Sequence, residues 1–411
     1  MEKPEIEKLT SKITATKRWK RAEDDYMSLY LDEMLPPQLR MGQPMSNMAF
    51  IKELQRILLD FPEYYPVYFD LGSRLLSVNI DKATEILDIA YEICLKVSSL
   101  EVLKKDFDIA FDNIEKTFHV EFVVRYALKL IEKFPDNALF YDYASTAFAT
   151  LNQSEKAVEY GLKAVELAPK NTYFLNNLGL TCLAITNYYD AEKYFKLAIK
   201  ADPKHAFPKN NLANCKIMNA ANLSLKEFYL QPADYKKINK LKTDNNNDEL
   251  DQYIGLMNAY KMLVLRETLS EKYQFKAHNY HSLISALKVF FGFVKTISND
   301  EFLWEDIDFL SGYFKPIMHK FIFKHSDADD EVLNEIYDST ILYYSFLADN
   351  KIIDNKQFNS FKKYVISLKD EMFDKMRKYN KIRHNPAVSD TKKEKIREKL
   401  FEGDHAWMFI N

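Results

Sequence analysis

Residues 137–203 read NALFYDYASTAFATLNQSEKAVEYGLKAVELAPKNTYFLNNLGLTCLAITNYYDAEKYFKLAIKADP, and this stretch decides the fold. Its two halves are one pattern written twice, 34 residues apart. Pro135, Pro169 and Pro203 follow that spacing, as do Ala144, Leu178 and Leu212, then Ala157 and Ala191, then Ala164 and Ala198. Small residues at fixed places let two helices approach closely, large ones fill the space between them, and a proline stops the second helix because it has no N–H to donate. A repeat that keeps all three features at one period specifies a stack of helical hairpins.

The best copy runs Leu175-x2-Leu178-Gly179-x2-Cys182, then Ala191-x3-Phe195-x2-Ala198, and closes on Pro203. The copy before it runs Tyr141-x2-Ala144-Ser145-x2-Phe148, then Ala157-x3-Gly161-x2-Ala164, and closes on Pro169. This pattern resembles the tetratricopeptide-repeat family, whose signature is Leu-Gly with flanking aromatics, later Ala-x3-Phe, then Pro. Gly161 stands where the family has Phe and Cys182 where it has Tyr, departures expected to loosen the local packing. Polar turns at Asn152-Gln153-Ser154 and Thr186-Asn187 suit helix N-caps. The resemblance covers residues 65–230 and is carried chiefly by 136–205.

Weaker copies flank these two. Residues 104–135 keep the helix pair and the final proline, with Val123 and Ala127 in place of Ala and Phe. Residues 65–96 carry Leu71-Gly72 and Ala83-x3-Leu87-x2-Ala90, with an inner turn one residue shorter. A further pair opens at Ala206, its second helix expected from the capping box Ser224-x2-Glu227. The organisation expected is an N-terminal helical cap over 1–64, an α-solenoid over 65–241 and a C-terminal helical bundle over 252–411. Residues from Met34 to Pro44 read as a loop and Thr243 to Asp251, with three consecutive asparagines, as a linker. In the last third, helices are expected over 249–269, 271–297, 301–324, 328–349, 355–382 and 390–400. Ser298-x2-Glu301 and Asp354-x2-Gln357 mark two of the starts.

Composition agrees with an all-α class. The chain has only 8 glycines in 411 residues, too few for the positive-φ turns of sandwiches, barrels and dinucleotide-binding loops. A net charge of −3 gives no global attraction to nucleic acid or anionic membranes. Cys94, Cys182 and Cys215 are too scattered for a disulfide framework or metal knuckle and read as small buried residues. The N-terminal 21 residues lack the apolar core of a secretory signal. The most apolar helix, near Leu283–Ile297, is interrupted by Lys288 and Lys295 and is shorter than the roughly 20 residues a bilayer requires. A cytoplasmic location, no membrane partner and no cofactor are the expectations.

For function, the resemblance implies that first helices line a concave groove that holds a partner protein or peptide. Tyr143, Asn177 and Asn211 occupy one slot in consecutive repeats, just before the motif position. In the family an asparagine there grips a peptide backbone, since its amide both donates and accepts. Tyr173, Asn176, Phe207, Asn210 and Asn214 are expected to face the same groove. The competing reading is that these asparagines tie neighbouring helices together. Capture of an acidic C-terminus, known among relatives, is not expected, because Asp142, Thr146 and Phe207 supply no positive charge where the carboxylate would sit. A second reading places nucleic acid on the basic tail through Lys375, Arg377, Lys378, Lys381 and Arg383, against the bland reading of a solvated helix face. A third treats Arg377 and His384, seven residues apart, as the catalytic pair of a HEPN-like ribonuclease. Lys378 follows the arginine there in place of that class's usual polar residue. No metal-ligand spacing, phosphate loop or nucleophile elbow occurs.

Overall fold

The computed structural model describes residues 5–34, 47–76, 78–117, 119–273, 281–298, 301–322, 330–383 and 385–401, and every regular element within them is helical. The loop expected from Met34 to Pro44 lies outside them after Met34. Two compact units divide between Ser224 and Leu225.

The first unit begins with α1 (Lys17–Met34) and α2 (Asn47–Asp60) and continues as hairpins. These are α3 (Tyr65–Leu75) with α4 (Ile80–Val97), α5 (Leu100–Lys116) with α6 (Val120–Lys133), α7 (Ala138–Thr150) with α8 (Ser154–Leu167), and α9 (Thr172–Ala184) with α10 (Tyr188–Ala201). Helix α11 (Ala206–Ala221) closes the unit. The second helices α6, α8 and α10 pack on α7, α9 and α11, the first helices that follow them, and α3 packs on α5, α7 on α9 and α9 on α11, which is solenoid stacking. Pro135, Pro169 and Pro203 each lie two residues beyond the end of a second helix. At the N-terminal end, Trp19 of α1 packs edge-on against Tyr64, with ring centroids 4.8 Å apart, and Arg18 pairs with Glu63 at 2.6 Å.

The repeat is tightly packed at its departures as well as at its matches. A Cβ added at Gly179 would lie 2.5 Å from the Phe195 ring, so only glycine lets that ring between α9 and α10. One repeat earlier the sizes are exchanged. Ser145 takes the place of Gly179 and Gly161 that of Phe195, and a Cβ on Gly161 would lie 2.8 Å from Ser145 Oγ. Ser145 Oγ donates to the Ala157 carbonyl at 2.7 Å. The expected loosening at Gly161 is therefore corrected, because the lost ring is compensated by a larger neighbour and close helix approach. Of the two polar turns, Asn187 caps α10 by accepting from Asp190 N at 3.2 Å, whereas Gln153 makes no side-chain cap and Asn152 takes a left-handed φ of 56°.

After α11 the expected helix at Ser224 shrinks to α12 (Leu225–Tyr229), five residues that open the second unit. There Tyr229 stacks on Tyr260, with ring centroids 4.3 Å apart, and Pro232 prevents continuation. Helix α13 (Tyr235–Thr243) and α14 (Asn247–Lys272) follow. The asparagine run read as a linker is a short turn between them, in which Asn245 takes φ 52° and Asn246 caps α14.

The remaining helices are α15 (His281–Ser298), α16 (Ile307–Pro316) with a π-helical turn at Ile317–Phe321, α17 (Asp330–Asp349), α18 (Asn355–Arg383) and α19 (Asp390–Leu400). They enclose a core of Phe290, Phe291, Phe314, Tyr337, Tyr343 and Tyr344. The helix expected from the Ser298 box starts instead at Ile307, capped by Asp306, whose carboxylate accepts from Phe309 N at 3.0 Å. Residues 302–305 are held out of helix by side chains of other elements. Asn258 Nδ2 donates to Phe302 O at 2.8 Å, Trp304 N donates to Asn258 Oδ1 at 2.8 Å, and Tyr344 Oη donates to Trp304 O at 2.8 Å. The other box is reciprocal as expected, with Gln357 N donating to Asp354 and Asp354 N to Gln357.

Candidate functional site

The first helices α5, α7, α9 and α11 carry the slot that the sequence singles out, and the structure shows what its side chains touch. Tyr143 Oη donates to Asp108 Oδ1 at 2.6 Å, and its ring meets Phe111 edge-on at 4.9 Å. Asn177 Nδ2 donates to both Asp142 oxygens at 3.1 and 3.3 Å. Asn211 Nδ2 donates to Asn176 Oδ1 at 2.9 Å. In each case the donor lies 35 residues after its acceptor, so the contact is one step in a polar ladder repeated at three junctions. Asp108, Asp142 and Asn176 are themselves 34 residues apart, a period present in the sequence but visible only once their partners are known.

The ladder changes what the slot offers. Asn176, expected to line the groove, is buried and accepts from Asn211, so it is a rung and not an open contact. Asp142 is also buried, and loss of water pushes its carboxyl up to about 7 although Asn177's donation opposes that rise. Tyr143 has its hydroxyl spent on Asp108, and burial raises its phenol well above the ordinary value. The Asn177 amide group and one N–H of Asn211 are thus engaged within the first helices. Their Oδ1 atoms have no partner among the described residues and still face outward from half-buried side chains.

The aromatic contacts lie one turn earlier on the same helix faces. Tyr173 and Phe207 are equivalent residues of α9 and α11, 62% and 67% exposed. His205 stands between them, its ring 5.0 Å from Tyr173 and 5.4 Å from Phe207. Four residues separate Tyr173 from Asn177 and Phe207 from Asn211, which places each ring and amide on one side of its helix. Asn210 is exposed on the next turn, and Asn214 is half-buried with its polar groups engaged.

The basic tail is matched in part by acids on its own helix. Lys375 pairs with Glu371 at 2.8 Å, and Arg377 pairs with Asp374. Arg383 lies over the Tyr379 ring at 5.8 Å, while Lys378 and Lys381 are exposed. His384, the second member of the Arg377 pair, lies outside the described residues. Among the described residues no helix is long and apolar enough to cross a membrane.

Residues 173–205 match the family model described as tetratricopeptide repeat. Among solved structures, the chain is similar to a crystal structure of the P58(IPK) TPR domain, at 12% identity and a TM-score of 0.21, covering 86% of this chain and 97% of that one. A score that low transfers nothing about shape, and the assignment rests on the match and on the helix packing above. No curated protein matches the chain.

Proposed function

Because the chain carries tetratricopeptide repeats, a scaffold for protein interaction in general, we propose that it is an adaptor whose first-helix face holds an extended segment of a partner protein. The observation that carries the proposal is the exposed Tyr173–His205–Phe207 stack beside the outward Oδ1 atoms of Asn177 and Asn211. Rings supply contact area at low entropic cost, and each Oδ1 accepts a backbone N–H of the bound segment. A reducing, cytoplasmic setting suits the three buried free thiols.

The test compares partners captured from native lysate by wild type and by Tyr173→Ala/Phe207→Ala. Both rings are exposed, so the double variant keeps its fold. A protein held by wild type and lost by the variant supports the reading. An unchanged set of partners refutes it, and a set lost only after nuclease treatment moves attention to the basic tail.

A further inference from the structure

Helix α11 is a first helix without a second one. No partner helix follows it among the described residues of the first unit, yet it keeps the positions that such a helix covers. Shifted by one repeat, Lys209, Ala213, Lys216 and Ile217 of α11 stand where α9 has Leu175, Gly179, Cys182 and Leu183. The four in α9 are buried, and the Phe195 ring of α10 lies against Gly179. In α11 the same positions are open. Lys209, Ala213 and Lys216 are exposed, and Ile217 is 55% exposed where Leu183 is 2%.

These residues specify what fits over them. Ala213 is small where Gly179 is small, so a helix can come close and seat a large side chain there, as Phe195 is seated in the preceding repeat. Ile217 adds apolar surface one turn further on. Lys209 and Lys216 flank this seat, and α11 carries no acid. The acid whose field reaches Lys216 is Glu192 of α10, which is itself paired with Lys196 at 2.7 Å. An ordinary second helix of this repeat would bury both ammonium groups against apolar side chains, at high cost. A helix with carboxylates opposite them gains charge-assisted pairs instead. A second copy of the same face would set lysine against lysine, which disfavours a two-fold contact.

We infer that α11 is a docking surface for an acidic amphipathic helix donated by a partner protein, which completes the last hairpin. The donated helix runs antiparallel to α11, as second helices do, and rests a large apolar residue on Ala213 and Ile217. Acids four residues to either side of that residue lie on the same face of the helix and come opposite Lys209 and Lys216. The surface shares no residue with Tyr173, Asn177, Phe207 and Asn211 and stands whether or not the groove holds a partner.

The probe is a fluorescent, helix-stapled peptide with a central Phe and a Glu four residues to either side, titrated against the full chain by anisotropy. The expected result is binding that weakens about tenfold or more when both Glu become Gln or when Phe becomes Ala. Ala213→Phe fills the seat and Lys209→Glu/Lys216→Glu reverses the flanking charges, and each should weaken binding by a similar factor. All three positions are exposed, so the variants keep the fold, which melting curves verify. A peptide with Lys in place of both Glu should bind the charge-reversed chain and not wild type. Tyr173→Ala/Phe207→Ala should leave binding unchanged, which separates failure here from failure of the groove. No binding by the full chain, indifference to Ala213→Phe, or no rescue by the Lys peptide would overturn the assignment. So would self-association of the chain that Ala213→Phe abolishes, because the occupant would then be a second copy.

Discussion

Asn177 Nδ2 donates to both carboxylate oxygens of Asp142, one repeat earlier, and Asp142 is almost wholly withdrawn from water. The slot that reads as a peptide contact is therefore also a tie between consecutive first helices. Removing the amide leaves a buried carboxylate without its donor. Asn177→Ala should destabilise the first unit by about 1–3 kcal/mol, and Asn211→Ala by less, since its acceptor Asn176 is neutral. Urea denaturation of the two variants checks the order.

The same carboxyl predicts a pH dependence. Its folded value is raised from 3.8 to about 7, chiefly by burial, so the folded state holds a proton that the unfolded state releases. Stability should therefore fall as the pH rises from about 4 to 7 and level off above, the opposite of a salt-bridged acid. Asp142→Asn still accepts from Asn177 and carries no charge, so it should flatten this slope and match or exceed wild type at pH 8. Denaturation at a series of pH values measures both.

Gly179 and Phe195 should behave as a coupled pair. Gly179→Ala forces a methyl into the ring and should cost about 1–3 kcal/mol. In a Phe195→Leu background the same substitution should cost clearly less, which a double-mutant cycle of melting curves would show. Equal costs in both backgrounds would mean that the close approach carries no energetic weight.

In the second unit Lys261 is 1% exposed and pairs with Glu305 at 3.1 Å, while its ammonium also donates to Gln231 O at 2.7 Å. Glu305 in turn accepts from Ala233 N. Lys261→Met or Glu305→Gln alone should cost about 3–5 kcal/mol, and the pair together less than the sum. The effect should be insensitive to added salt, because the pair is shielded from solvent ions.

Much of the fold was legible in the chain because packing leaves a periodic trace. The prolines, the Ala positions and the Gly179–Phe195 pair mark helix ends and close approaches, and the helices begin and end accordingly. Boundaries set by distant partners were not legible. Ser298-x2-Glu301 has the letters of a cap, yet the helix begins at Ile307, capped by Asp306, because Asn258 and Tyr344 hold the preceding backbone out of helix. A local capping motif competes with long-range hydrogen bonds that no local pattern records.

By itself the sequence determined that the chain is all-α, that hairpins stack at a period of 34, and which residues occupy equivalent slots. Those facts follow from periodicity, and periodicity is a property of the chain alone. Only the tertiary structure decided what the slots do. Asn176 and Asp142 turn inward as rungs, and Tyr173 and Phe207 remain outside. Each outcome depends on which neighbour one repeat away supplies the complementary atom, and that is settled by how adjacent helices pack.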